Sequence, residues 1–365
     1  MKIALLAGLS TIHTLRWANS FAERGHEVHV ITCHPDTSNK VSRKVLVHPL
    51  PFPTPGGYYL NGPNLKILLH KIHPDVLNAH YASGYGTLAR LCGFHPYVLS
   101  VWGSDVYDFP YKSPVHLKLL RKNLLAADTI CSTSNAMAEQ VRAVYPEVQD
   151  IRITPFGVDT ETFSPKPELK DPGLVTIGTV KKLEPKYGID TLLQAFAYVK
   201  GHYDTLDPEI SRRLRLIIVG GGSEERKLKG LADSLGISEQ CHWIGKIGHE
   251  EVPGYLNQFD IFAALSRLDS ESFGVAVIEA SACGLPVVVS DAGGLPEVVR
   301  EAETGFVVPR ENPEEAGKAM IRLIDDPDLR RMMGEKGRQH VMREYEWDHC
   351  VGSLEDVLGK ISGIR

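Results

Sequence analysis

Two glutamates, Glu271 and Glu279, stand with seven residues between them, and the run separating them is mostly apolar: Phe273, Val275, Ala276, Val277 and Ile278. A helix starting near Phe273 would put Glu279 about two turns in and leave Glu271 on the loop before it. That brings two carboxylates and the free N–H groups of a helix start around one cleft. A helix start holds an anion, and carboxylates accept from sugar hydroxyls. The competing reading is a surface acid plus a capping acid on an ordinary helix. Upstream lies a loop with Lys181, Lys182 and Lys186. Two further places set polar groups directly after a buried run: His80-Tyr81 and Trp102-Gly103-Ser104-Asp105. The second reads equally as a ligand loop and as a tight turn capped by Asp105.

The elements that position these groups repeat one pattern. The apolar run over residues 2–8 predicts a buried parallel strand. A helix through Leu15, Ala18, Phe21 and Ala22 follows, ended at Gly25, and then a strand over Glu27–Thr32. Further strands are predicted over Val45–Pro49, Val76–His80, Tyr97–Val101, Thr129–Ser132 and Ile151–Pro155. Pro51–Pro63 reads as a loop, as does Ser83–Gly86. Polar residues after buried strands sit at the carboxyl edge of a doubly wound sheet, where ligands bind; the loop Gly8–Thr14 is such a place. It lacks G-x-G-x-x-G, which removes support for a dinucleotide. Thr160–Pro172 carries three prolines and no periodicity, and reads as a domain linker. A second α/β series begins at Leu174, with strands over Leu174–Gly178, Leu214–Val219, His242–Gly245, Ile261–Ala264 and Phe306–Val308. Helices run from Pro313 to the end. The fold class is α/β, with two doubly wound, Rossmann-like domains facing across a cleft where chemistry is expected.

Composition is that of a globular protein, 43% hydrophobic and 23% charged over 365 residues, enough for two domains. Residues 1–165 carry 15 Lys/Arg against 12 Asp/Glu and the remainder 25 against 33, so the first part is +3 and the rest −8. No dense basic run or aromatic RNA motif is present, so no nucleic-acid partner is expected. Lys112–Leu125 places Leu117, Leu120 and Leu124 on one face, flanked by Lys112, Lys118, Arg121 and Lys122. It reads either as a helix docking on an anionic membrane or as a packed helix with a solvated face. The six Cys are scattered without metal spacing and no HExxH occurs, so no metal site is expected. The first ten residues are too soon punctuated for a signal peptide and no window reaches the length of a membrane span, which points to a cytoplasmic protein.

Taken in order, the short motifs resemble those of retaining glycosyltransferases of the GT-B fold, the family-4 group. Arg24-Gly25-His26-Glu27-Val28, His73-Pro74-Asp75-Val76 and Phe156-Gly157-Val158-Asp159 are similar to the family's first-domain junctions. Val219-Gly220-Gly221-Gly222 resembles its "GDG" strand end. Glu271-Ser272-Phe273-Gly274 through Glu279, then Gly284-Leu285-Pro286, is similar to its E-x7-E block. The likeness covers nearly the whole chain. It implies an acceptor domain over 1–165, a donor domain over 173–345, and a last helix within 346–365 packing back on the first domain.

The resemblance further implies a metal-independent hexosyltransferase using a nucleotide diphosphate sugar, UDP or GDP, and a glycan or lipid-linked acceptor, in cell-surface polysaccharide synthesis. Glu279 would bond the ribose hydroxyls and Glu271 those of the transferred sugar, with Phe273 and Gly274 N–H groups positioning the donor. Lys181, Lys182 and Lys186 would neutralise the diphosphate, Gly8 would line the first loop, Ile247 would lie beside the base, and Asp105 would act from the first domain. Peripheral contact with the inner membrane face would pass through that domain. The chain departs from the family at three places. Gly8 precedes Leu9 where the family has Gly-Gly. Lys182 stands for the usual Arg, with Lys186 one place from the usual Lys. Trp102 replaces the His of His-Gly-x-Asp, leaving His80 or His13 to stand in. An epimerase, a phosphorylase or a sugar-nucleotide-binding protein are the alternatives.

Overall fold

The computed structural model describes residues 1–34, 40–148 and 150–364. The chain divides into two compact units, Met1–Phe156 with Asp348–Arg365, and Gly157–Trp347. In the first, seven strands run β1 (Lys2–Leu6), β2 (Glu27–Thr32), β3 (Val45–Pro49), β4 (Val76–His80), β5 (Tyr97–Val101), β6 (Thr129–Ser132) and β7 (Ile151–Ile153). They form one sheet in the order β3-β2-β1-β4-β5-β6-β7, and every pairing is parallel. The second unit holds β8 (Val175–Val180), β9 (Leu214–Val219), β10 (Cys241–Gly245), β11 (Ile261–Ala264), β12 (Val287–Ser290) and β13 (Gly305–Val308). Their order is β10-β9-β8-β11-β12-β13, again parallel throughout.

Parallel neighbours need crossovers, and the crossing helices cover both sheet faces. That is why central strands such as β1, β11 and β12 are near-continuous apolar runs, while the edge strands β3 and β7 are largely exposed. Each unit has its own core, built around Leu6, Ile31, Leu77 and Leu99 in the first and around Ile177, Phe196, Ile218 and Ala263 in the second.

Several elements differ from the sequence reading. The Pro51–Pro63 stretch contains a short helix, Gly57–Leu60, and the start of another, Gly62–Ile72. Asn61 fixes it, accepting from Phe52 N–H at 3.2 Å and donating to Phe52 C=O at 2.7 Å. Ser83–Gly86 is largely the first turn of the helix Gly84–Cys92. The basic helix starts at Pro114, because Ser113 is extended and accepts from His116 N–H as N-cap. Its leucine face is turned inward: Leu120 and Leu124 are buried in the first core, with Leu117 packed beside them. That helix therefore keeps its apolar stripe for its own unit.

The division of the chain falls ahead of the proline-rich stretch. Arg338 donates to the carbonyls of Thr160 and Phe163, and Asn257 donates to Ser164 C=O and accepts from Lys166 N–H, so this stretch lies along the second unit. The helix Trp347–Ser362 is held in the first unit by the Arg24-Gly25-His26 junction. Arg24 pairs with Glu355 at 2.8 Å, and His26 Nε2 lies 2.6 Å from the same carboxylate.

Candidate functional site

In the second unit the chain leaves β8 toward β9 and leaves β11 toward β12, in opposite directions across the sheet. Between these two neighbouring strands lies the switch point at which open α/β sheets bind ligands. The β8 exit carries Lys181, Lys182 and Lys186; the β11 exit carries Ser266 through Glu271. They meet through the backbone, where Arg267 N–H donates to Lys186 C=O at 2.8 Å, and through one ion pair. Lys181 Nζ donates to Glu271 Oε2 at 2.8 Å, with side chains only 8% and 11% exposed. Ser266 Oγ donates to the same oxygen at 3.3 Å. Beneath them lies Tyr187, whose ring is faced by the ammonium groups of Lys181 at 5.2 Å and Lys186 at 4.7 Å. Burial raises the Tyr187 phenol pKa and the Glu271 charge adds to it, with Lys181 opposing. Lys182 is exposed.

Local backbone chemistry fixes both loops. Gly220, at φ +141°, ends β9, and a Cβ there would come 1.9 Å from Lys181 C=O. The glycine run thus lets the β9 exit lie directly on the lysine loop, where Leu183 N–H donates to Gly221 C=O. On the other side Arg267 bonds Asp190 and also reaches Glu311 at 3.3 Å, while Gly294 N–H donates to Glu271 C=O. The following helix is Val275–Ala282, two residues later than the sequence suggests, because Gly274 sits at φ +95°, outside helical space. Glu279 is therefore about one turn in, not two. The Phe273 ring is buried against Tyr345, so the backbone is what Phe273 and Gly274 offer. Glu279 is buried and accepts from His249 Nε2 at 2.8 Å. Ile247 is half-buried in the same β10 exit loop as His249.

The first unit has its own switch point, between β1 and β4. Here Gly8, His80, Tyr81 and Trp102 line a pocket of about 180 Å³ with His34, Tyr58 and Tyr85. A Cβ on Gly8 would meet the His34 ring at 3.2 Å, so Gly8 admits that ring. His80 packs on Trp102, ring centroids 4.5 Å apart, and His13 stacks on Phe156 at 4.1 Å. Asp105 is fully buried. Its carboxylate accepts from the N–H groups of Ala82 at 2.7 Å, Gly103 at 2.8 Å and Trp102 at 3.2 Å. Burial raises its pKa, and those bonds pull the other way. It joins the loops after β4 and β5, which is a positioning task.

Sequence reasoning brought Lys181, Lys186, Glu271 and Glu279 to one sheet edge. It did not single out His249 or Tyr187, whose only signal is their place in the loops that follow β10 and β8.

Two parallel α/β units, each with polar loops at a switch point, define the two-domain fold of GT-B glycosyltransferases. Sucrose-phosphate synthase from Thermosynechococcus elongatus superposes with a TM-score of 0.85 at 20% identity, covering 100% of this chain and 99% of that one. Anabaena HepE in complex with UDP does so at 0.83 and 17%, covering 99% and 100%. Residues 160–340 match the family of glycosyl transferases group 1, and residues 2–134 match the glycosyl transferase 4-like family. The GDP-mannose-dependent alpha-(1-6)-phosphatidylinositol monomannoside mannosyltransferase of Mycobacterium tuberculosis is 30% identical over 286 residues, 74% of this chain and 71% of that protein. The N-acetyl-alpha-D-glucosaminyl L-malate synthase of Bacillus anthracis is 25% identical over 92% of this chain and 90% of its own length. The chain belongs to the group 1 glycosyl transferases, family 4 of the GT-B fold.

Proposed function

We propose that the chain is a metal-independent, retaining hexosyltransferase that moves a sugar from a nucleotide diphosphate to a glycan or lipid-linked acceptor in cell-surface polysaccharide synthesis. The observation that carries this reading is the Lys181–Glu271 pair across the β8–β11 switch point, one loop before a helix start that carries Glu279. Breaking a sugar–phosphate bond builds negative charge on the diphosphate and positive charge on the sugar ring. Preorganised cations and N–H groups stabilise the first, and a fixed carboxylate nearby stabilises the second. Lys181 already has a carboxylate partner, so Lys186 and Lys182 take the diphosphate while Lys181 and Ser266 hold Glu271 toward the sugar hydroxyls. Glu279, aligned by His249, takes the ribose, with Phe273 and Gly274 N–H groups on the donor and Ile247 beside the base. Lysine charge and the helix start stand in for a divalent ion.

The second domain takes the donor and the first the acceptor, with Asp105 shaping the loop that ends in Trp102. GDP ranks ahead of UDP as the nucleotide, because the mycobacterial relative is GDP-mannose-dependent by name. The protein works in the cytoplasm, against the inner membrane face, through the first unit. Thermal-shift screening against GDP-, UDP- and ADP-sugars names the donor. With it, Glu271→Ala and Lys186→Ala are each expected to lower turnover by roughly 10²-fold or more. Turnover like that of the wild type in both variants overturns the assignment.

A further inference from the structure

The β1–β4 switch-point pocket differs in kind from the donor-type site of the second unit. Among the described residues its lining carries no Lys, Arg, Asp or Glu. Its two histidines, His34 and His80, are both kept neutral by burial, which lowers their pKa values, that of His80 to about 3. The walls are aromatic: the Tyr58 and Tyr85 rings meet edge to face at 5.3 Å, and Trp102 lies on the His80 side. Tyr58 is drawn in over Gly84, where a Cβ would come 2.5 Å from its ring, so the glycine makes room for that wall. At about 180 Å³ the pocket is below the ~300 Å³ at which drug-sized sites begin, and suits one small ring.

One polar atom of a lining residue is unsatisfied. His80 is 2% exposed, and its Nδ1 is buried with no hydrogen-bond partner. The network assigns its tautomer. Asn78 Nδ2 donates to Val98 C=O at 3.2 Å and to Ser100 Oγ at 2.9 Å, which leaves Oδ1 to face His80 Nε2 at 2.9 Å. An amide oxygen only accepts, so Nε2 carries the proton and Nδ1 a bare lone pair. A buried acceptor without a donor is costly. Next to it the backbone is strained: Tyr81, a bulky residue, is held at φ +82°, a departure that concentrates at ligand sites.

We infer that this pocket binds an uncharged sugar ring, the terminal residue of the acceptor, packed against Tyr58 and Trp102 with one hydroxyl donating to His80 Nδ1. This rests on the transferase reading and narrows it: the acceptor end is a neutral glycan, not a phosphate- or carboxylate-bearing small molecule. An anionic acceptor would find no cation here to offset its desolvation.

The test uses the full chain labelled with ¹⁵N-histidine and titrated separately with methyl α-D-gluco-, galacto- and mannopyranosides, L-malate and myo-inositol 1-phosphate. At least one glycoside is expected to bind at least tenfold tighter than either anion, and to move the His80 Nδ1 resonance upfield as the lone pair accepts. Tyr58→Ala and His80→Phe are each expected to weaken that binding tenfold or more; the resonance reports even if a variant does not fold. Tighter binding of either anion, or glycoside binding without a shift at Nδ1, overturns the inference. Donor binding and hydrolysis are measured on the same preparation. A donor turned over without glycoside binding sinks the acceptor assignment alone, whereas no donor turnover sinks the transferase reading and the acceptor role with it.

Discussion

Glu271 and Glu279 show how far residue types and spacing reach. The E-x7-E spacing was legible because both acids belong to one loop-and-helix segment. Their partners were not, because Lys181 and His249 lie 90 and 30 residues away in sequence and meet them only through the sheet order. Those partners carry consequences. Lys181 and Glu271 form a nearly buried ion pair, and removing one member strands the other's charge. Lys181→Met is expected to cost about 3 kcal/mol in chemical denaturation. The double variant Lys181→Met/Glu271→Gln should recover most of that loss while remaining inactive; additive losses would show the pair to be uncoupled. His249 bonds Glu279, and if Glu279 takes the ribose as proposed, it acts on donor binding rather than on the chemical step. His249→Ala should therefore raise KM for the donor by roughly tenfold, about one lost charge-assisted bond, with kcat nearly kept. His80 gives a pH signature. Its folded pKa lies near 3, far below the usual value of 6.5, so between those values the unfolded chain binds a proton that the folded chain does not. Stability then falls as pH drops below about 6.5, by on the order of 1 kcal/mol per pH unit from this group. A His80→Phe variant should show a shallower acid slope in denaturation curves; an unchanged slope would remove His80 as its source.

At the level of elements, strands and their order of appearance were readable, since buried parallel strands are unbroken apolar runs. What sequence blurred was where helices begin. Val275 rather than Phe273, and Pro114 rather than Lys112, start their helices because a positive-φ Gly274 and an extended Ser113 stand before them, features of backbone conformation that composition does not carry. The loop Pro51–Pro63 was misread for a similar reason: Asn61 bonds Phe52 from nine residues away and lets helix start early. The glycines at strand ends were visible, but not their task. At Gly220 the Lys181 carbonyl leaves no room for a Cβ, so Gly220→Ala must displace either the lysine loop or the β9 exit. We expect a cost of about 1–3 kcal/mol in stability and a weaker donor complex, measurable by melting temperature with and without donor. A melting temperature unchanged in both states would show the loop to be free to move. The Arg24-Gly25-His26 motif, legible only as a family junction, proves to be the tether of the C-terminal helix. Burial alone would raise the Glu355 pKa, but hydrogen bonds from His26 and Arg24 bring it below the usual range.

For the whole molecule, charge is divided between the units. Met1–Phe156 with Asp348–Arg365 carries 17 Lys/Arg against 13 Asp/Glu, a balance of +4, and Gly157–Trp347 carries 23 against 32, a balance of −9. Only the first has the sign an anionic bilayer attracts. We expect the helix Pro114–Leu125 to supply the surface for such a contact, though not the one its leucines suggest. With Leu120 and Leu124 inside, the outward stripe is Val115, Lys118, Lys122 and Leu125, which the 3.6-residue period sets on one face. Val115 is 74% and Leu125 67% exposed, and Tyr111, just before the helix, is 66% exposed. Two ammonium groups between exposed apolar side chains match a surface of anionic headgroups over acyl chains. Arg121 contributes less, since its Nε already donates to Val144 C=O. The full chain should therefore co-sediment with vesicles containing phosphatidylglycerol and not with pure phosphatidylcholine. At about 1 kcal/mol for each cation near the surface, Lys118→Ser/Lys122→Ser should weaken binding by roughly 30-fold. Raising salt to 1 M, where the Debye length shrinks to about 3 Å, should release most of the remainder. Binding that ignores lipid charge, or that survives loss of both lysines, would move the membrane contact off this helix, and binding that persists in 1 M salt would leave exposed apolar side chains to carry it.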